Sequence, residues 1–273
     1  NINHNRIVKP LMIAEAGVNH EGSMKLAHRL IREAAEGGAD AIKFQTYKAH
    51  TIASKDSPSY WDRTKEPTDS QYKLFQKYDN FDKKEFEQLK IWSDQEKIDF
   101  MSTPFDVDSA IFLNDLMDVY KISSSDITNK PFIKFLAGFG KPIILSTGAS
   151  TTQEIDNAVD WIKEMDVDFA LLHCILNYPT EDKNANLGMI KALQEGYPDK
   201  LIGYSDHTLP YDLKTLELAT MMGCSIIEKH FTHDKSLPGN DHYHAMDKND
   251  LIQFNQIMDR VFNVIGDYDK RPL

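Results

Sequence analysis

Short apolar runs rich in Ile, Val and Phe recur along the chain, and each is followed by a longer stretch in which apolar residues return three and four positions apart. The first pattern suits a buried strand and the second an amphipathic helix, so the chain is predicted to alternate strand and helix. Eight runs are predicted strands: LMIAEAG (11–17), DAIKFQT (40–46), IDFMSTPF (98–105), VYKISSS (119–125), PIILSTG (142–148), FALLHCI (169–175), LIGYSDHT (201–208) and SIIEKHF (225–231). Helical spacing follows at 24–37, 83–97, 108–117, 130–140, 151–165, 186–196, 211–223 and 247–266. Ser23, Asp108 and Thr152, the last with Glu154 nearby, are candidate helix caps, and Gly37, Gly140 and Gly223 mark helix ends.

Eight such repeats suit an α/β chain folded as a (β/α)8 TIM barrel, whose strands are buried on both faces and therefore look uniformly apolar. A doubly wound open sheet is the alternative. Against it, the first strand-to-helix turn, EAGVNHEGS, lacks the glycine spacing of a dinucleotide-binding turn. The long insertion at 48–82 is too polar for a domain and is expected to be an active-site lid or an interface arm.

Length and charge narrow this further. A chain of 273 residues is either two ordinary domains or one large barrel. Its net charge of -11, from 31 basic and 42 acidic residues, argues against a nucleic-acid or anionic-membrane surface, so an anionic ligand must find a local basic pocket. No apolar run of about 18 residues could span a bilayer and no signal-peptide pattern opens the chain, so a cytoplasmic location is expected. Cys174 and Cys224 sit inside apolar segments and are expected to be buried, reduced thiols.

In a barrel the carboxyl ends of the strands carry the active site, because the following loops converge there. Every strand of this chain ends in polar groups: Glu15 and Asn19-His20; Lys43 and Gln45; Ser102-Thr103; Lys121, Ser124 and Asp126; Ser146-Thr147; His173 and Asn177; Ser205-Asp206-His207; Glu228-Lys229-His230. Lys43 and Lys121 are the sharpest signal, since a buried ammonium needs an anion. That anion is either a protein carboxylate, Glu15 or Asp126, or a ligand. With hydroxyls from Ser102, Thr103, Ser124, Ser146 and Ser205 around them, the lysines suit a small, highly charged anion such as phosphoenolpyruvate. His207 and His230 end adjacent strands, so their imidazoles could meet at one first-row divalent cation. His233, His242 and His244 fall beyond the strand and are expected to be polar loop residues, with His242 and His244 nearest an acceptor.

The segments IAEAGVNHEGS, AIKFQTY, FMSTPFD, YKISSSD, GKPIILSTGAS, LLHCILNYPT, IGYSDHT, IEKHFT and LPGNDH resemble the sialic acid synthase family, phosphoenolpyruvate-dependent makers of nine-carbon 3-deoxy-2-keto sugar acids. The similarity runs from about residue 9 to 265, in order. It implies a barrel that condenses phosphoenolpyruvate with the open-chain aldehyde of an N-acylated hexosamine, releasing phosphate, with Mn2+ or a similar ion such as Mg2+ or Co2+. The resemblance places the metal on His207 and His230. It places phosphoenolpyruvate contacts on Lys43, Thr103, Lys121, Ser124, Ser146 and Ser205, and the sugar-side and acid/base positions on Glu15, Gln45, Asp126, Asn177, Tyr178 and Asp241.

Three departures qualify it. Asp126 stands where many members have Glu, and HYHAMD replaces a run that often holds a serine near 244–245. Residues 1–273 are expected to be the barrel alone, acting as a homodimer, without the family's small C-terminal antifreeze-like domain. A synthase acting on a phosphorylated short sugar is a rival reading and would need a second anion site, for which only Lys48, Lys229 and Lys235 are spare near the rim. A catalytically silent sugar-binding barrel is the other.

Overall fold

Each of the eight apolar runs forms a parallel strand in the computed structural model, which describes residue 2, residues 6–239 and 241–269, and residue 271. Asn240 of the LPGNDH motif and all of the terminal KRPL except Arg271 lie outside the described residues. The strands are β1 Leu11–Gly17, β2 Ala41–Thr46, β3 Asp99–Pro104, β4 Tyr120–Ile122, β5 Ile143–Ser146, β6 Phe169–Cys174, β7 Leu201–Asp206 and β8 Ile226–His230. The helices are α1 Met24–Gly37, α2 Ala49–Ile52, α3 Gln71–Tyr78, α4 Lys83–Glu96, α5 Val107–Leu113, α6 Lys130–Ala137, α7 Thr152–Lys163, α8 Gly188–Gly196, α9 Lys214–Met221 and α10 Lys248–Ile265. The sheet runs β3-β2-β1-β8-β7-β6-β5-β4, and β3 packs beside β4 to bring the two edges together, as the (β/α)8 expectation requires. Among the described residues no ladder joins that last pair. The strand expected over 119–125 is only three residues long, because Ser124–Asp126 turn into a 3-10 helix.

Strand alternation separates two cores. Ile42, Phe44, Leu145, Leu171 and Ile227 face outward and pack with helix residues such as Leu30, Leu89, Ile133 and Ile162. Ile13, Ala41, Met101, Ile144, Ala170, Leu172 and Ile226 face inward and plug the barrel. Two residues further along each strand, on the same inward face, come Glu15, Lys43, Thr103, Ser146, Cys174 and Glu228. The apolar plug is therefore the floor beneath a polar layer. Gly203 holds the plug position on β7, where a Cβ would collide with the carbonyl oxygen of Ile226 and with Leu172, so only glycine fits.

Helix boundaries follow cap chemistry. Ser23 accepts a hydrogen bond from the Leu26 amide at 3.3 Å, as expected. The caps of α5 and α7 are Asp106 and Thr151, not Asp108 and Thr152. Asp106 accepts from the Ser109 amide at 2.8 Å, and Glu154 accepts from the Thr151 amide at 2.7 Å. A capping box links residues three apart, which pairs Glu154 with Thr151. At the end of α1 it is Gly38, with φ 83, that turns left-handed, one residue beyond Gly37. Cys174 and Cys224 are buried and reduced. Among the described residues, no helix is long and apolar enough to cross a membrane.

Candidate active site

The polar layer begins with a compact charge cluster. Lys43 Nζ lies 2.5 Å from Glu15 Oε2 and 3.6 Å from Glu228 Oε2, while Lys121 Nζ lies 3.5 Å from Glu228 Oε1. All four side chains are buried. Lys43 thus has the protein partner expected in Glu15; Lys121 pairs with Glu228 rather than with Asp126. Ladder register explains the pairing, since Glu15 stands beside both Lys43 and His230, and Ser205 beside Glu228. Hydroxyls complete the layer: Lys43 donates to Thr103 Oγ1 at 3.1 Å, Lys121 to Ser146 Oγ at 2.8 Å, and Ser205 to Glu228 Oε1 at 2.9 Å.

Burial and charge set the two carboxyls apart. Burial raises Glu15, aided by the charge of Glu228, and Lys43 only partly offsets it. Burial also pushes Glu228 upward, but Lys121, Lys43 and the Ser205 hydroxyl outweigh it and hold that carboxyl down at about 2. One carboxyl is thus biased toward its protonated form and its neighbour is kept ionised, the arrangement that separates acid/base from purely electrostatic work. Lys121 is lowered, chiefly by burial, whereas Lys43 is raised because Glu15 and Glu228 overcome its burial.

Above the layer stand the histidines. The rings of His207 and His230 are 5.6 Å apart between centroids. Nδ1 of His207 donates to the Ile175 carbonyl at 2.9 Å, which leaves the Nε2 lone pair available. Nδ1 of His230 is buried without a hydrogen-bond partner. Burial lowers His207 to about 4 and puts His230 well below the usual range, so both imidazoles are neutral near pH 7. Neutral rings with a free lone pair and an orphaned buried nitrogen fit a first-row divalent ion. Among the described residues no three His, Cys, Asp or Glu are grouped to hold one.

His244 and His242 are on a loop, as expected, but neither is solvated. His244 is fully buried 4.9 Å from the His230 ring, with Nε2 3.5 Å from Asp241 Oδ1. His242 is tied to Thr232 Oγ1 at 2.8 Å, and its other nitrogen lies 3.5 Å from Glu21. His233 is only partly covered. Asp241 is half-buried, and although burial raises it, His230, His244 and His242 bring it far below the usual carboxyl range.

Three cavities meet over this layer, and Gln45 and Tyr178 line all three. The first, about 420 Å³, holds Glu15, Lys43, Thr103, Lys121, Ser124, Ser146, Ser205, His207, Glu228 and His230. A side pocket holds Asn19, Tyr47, Tyr78, Asp241 and His242 beside His230. A wider groove, about 1660 Å³ of open space, holds Asp126, Asn129 and Asn177 with Trp61, Phe75 and Phe105. Asp126 and Asn177 therefore stand away from the lysines, and burial raises Asp126. Residues 48–82 roof this region: Tyr60, Trp61, Phe75 and Tyr78 line its walls, and Trp61 is pinned by donating to the Glu66 carbonyl at 2.9 Å. Of the two expectations for this segment, the lid describes its position.

Not every polar strand end reaches the site. Alternation turns Ser102, His173, Asp206 and Lys229 outward, where Ser102 bonds Thr46, His173 bonds the Ala185 carbonyl, and Lys229 and Asp206 pair at 2.5 Å. His20 stacks on Phe81 with centroids 4.3 Å apart. Conversely, Glu228 belongs to the cluster although it was not a candidate ligand-binding or catalytic residue in the sequence; its spacing two positions before His230 in one strand was the available signal. His244, expected as a loop residue near the acceptor, is instead buried against the His230 ring.

Residues 30–270 match the NeuB family. The chain is 38% identical over 269 residues to the N,N'-diacetyllegionaminic acid synthase of Legionella pneumophila, covering 96% of this chain and 74% of that one. It is 33% identical to the N-acetylneuraminate-9-phosphate synthase of Drosophila melanogaster, covering 88% of this chain and 64% of that one. A crystal structure of the N-acetylneuraminic acid synthetase of Leptospira borgpetersenii in complex with citrate superposes with a TM-score of 0.84 at 35% identity, covering 97% of this chain and 88% of that one.

Proposed function

This chain belongs to the NeuB family, and from that premise we propose that its barrel condenses phosphoenolpyruvate with the open-chain aldehyde of an N-acylated hexosamine, giving a nine-carbon 3-deoxy-2-keto sugar acid and phosphate. The observation that carries the reading is the buried layer itself: two lysines, two carboxyls of opposite bias and a ring of hydroxyls beneath two neutral imidazoles. Stability alone does not call for such a layer, because well-packed apolar residues serve a barrel interior at least as well as buried ion pairs.

The chemistry follows from what each group can do. Lys43 and Lys121, with Thr103, Ser124, Ser146 and Ser205, hold the phosphate and carboxylate and exclude water from around them. The methylene carbon of phosphoenolpyruvate attacks the aldehyde carbon; a carbon–carbon bond forms and the aldehyde oxygen takes a proton. Positive charge develops at the carbon bearing the phosphate ester, water adds there and gives up a proton, and collapse to the ketone breaks the carbon–oxygen bond and releases phosphate. Glu15, raised by burial and touching Lys43, is placed to pass those protons, while ionised Glu228 balances the developing cation. His207 and His230 would hold a divalent ion of the Mn2+ type, which supplies Lewis-acid polarisation of a carbonyl. Gln45, 3.0 Å from Glu15 Oε1, and Tyr178 divide the anion layer from the acceptor groove and orient the aldehyde between them.

Phosphoenolpyruvate carrying heavy oxygen in its bridging carbon–oxygen bond tests this route. The label should leave in the phosphate; label kept in the organic product, or phosphate transferred to the sugar, would contradict it.

A further inference from the structure

The three confluent cavities contain cations only at the bottom. Among the described residues lining the acceptor groove there is no Lys, Arg or His, and its one ionisable carboxyl is Asp126. The side pocket adds Glu66 and Asp241, with His230 and His242 but no Lys or Arg. Several cations near the rim are already engaged, and Lys65 lies over the Tyr243 ring, 5.6 Å from its centroid. Lys48 donates to the Asp79 and Phe81 carbonyls and to Asp82, Lys229 is buried against Asp206, Lys235 bridges Asp247 and Asp250, and Lys77 is paired with Glu66. The amino end of α6 offers no alternative, because Asn129 caps it and also donates to Asp126 at 3.4 Å. The rest of the wall mixes Ile52, Tyr60, Trp61, Phe75, Phe105 and Leu176 with the polar Thr51, Gln71, Ser123 and Ser125.

Resting on the condensation reading above, we propose that the acceptor is an unphosphorylated hexosamine whose far end carries apolar substituents, acylamino or deoxy methyl groups, held against the aromatic wall with Asp126, Asn129 and Asn177 taking its hydroxyl and amide hydrogens. A phosphate ester on the far end would bring a second dianion into a groove that has no cation for it and already holds a carboxylate. Desolvating an unpaired anion beside a like charge is strongly unfavourable, and it rejects a ligand as effectively as a clash does. Methyl groups, by contrast, gain by leaving water for the faces of Trp61 and Phe75.

Calorimetric titration of the whole chain, with Mn2+ and phosphate present, separates this specificity from turnover. The ligands are N-acetylmannosamine, its terminal phosphate ester and a diacetamido trideoxyhexose. The neutral sugars should bind at least about tenfold more tightly than the phosphate ester, with the diacetamido sugar tightest. Leu176→Arg, which places a cation at the exposed mouth of the groove, should narrow the gap by raising affinity for the ester alone. Equal or tighter binding of the ester to the unaltered chain, or no binding of any of the three sugars, would overturn the proposal. Phosphate release is measured in parallel. Neutral sugars that bind without release would contradict the condensation while upholding the groove's preference; release with the ester as the better acceptor would uphold the condensation and overturn the preference.

Discussion

Glu15 and Glu228 are carboxyls of the same polar layer, yet their surroundings bias them in opposite directions. Glu15→Gln keeps the shape and the hydrogen bond from Gln45 but removes the proton carrier. Affinity for phosphoenolpyruvate should change by less than about tenfold, while turnover falls by about a hundredfold or more; unchanged turnover in a single-turnover assay would remove Glu15 from the proton path. Glu228→Gln acts differently, because Lys121 then loses its near carboxylate and Lys43 keeps Glu15. Stripping one partner from a buried ion cluster should cost about 3 kcal/mol in urea unfolding. Saturating phosphoenolpyruvate should restore part of it, since the anion replaces the missing charge. A stability equal to that of the unaltered chain would mean that Lys121 does not depend on Glu228 as its partner. The lysines, hydroxyls and two histidines were legible in the sequence because a charged residue in an apolar run is conspicuous. Glu228 was less so, as one of three consecutive polar residues whose directions only strand alternation separates.

At the scale of elements, periodicity revealed the eight strands and the eight repeat helices, because burial on both faces of a strand and on one face of a helix leaves a regular imprint. It did not reveal β4's shortness, since VYKISSS stays compatible with a strand until Ser124–Asp126 turn, nor the two helices α2 and α3 within 48–82, which the lid's polar composition conceals. The helix ends were off by one or two residues where cap geometry, and not hydrophobicity, decides. Gly203 is a sharper test of the barrel itself. Gly203→Ala would drive a methyl into β8 backbone and Leu172 in the plug, and should destabilise the chain by about 3 kcal/mol and weaken phosphoenolpyruvate binding through Ser205, two residues on. Full stability would mean that the plug yields more readily than its packing implies.

For the molecule as a whole, acid sensitivity follows from its buried neutral histidines. Burial lowers His20 from 6.5 to about 4, so between those values the unfolded chain binds a proton that the folded one does not. Its contribution is intact above about 6.5, is lost as pH falls toward 4, and is flat below. His20→Phe should therefore reduce the loss of stability between about pH 7 and pH 4 by about 3 kcal/mol in urea unfolding; an unchanged pH slope would mean that His20 is already charged in the folded chain. The central claim is that one polar layer performs one condensation with help from an ion at His207 and His230. Its most direct test is phosphate release from phosphoenolpyruvate by metal-stripped protein, with and without Mn2+ and with and without a neutral N-acylated hexosamine. Release that requires both additions is the predicted result; release that ignores the sugar, or persists undiminished without metal, would contradict the account.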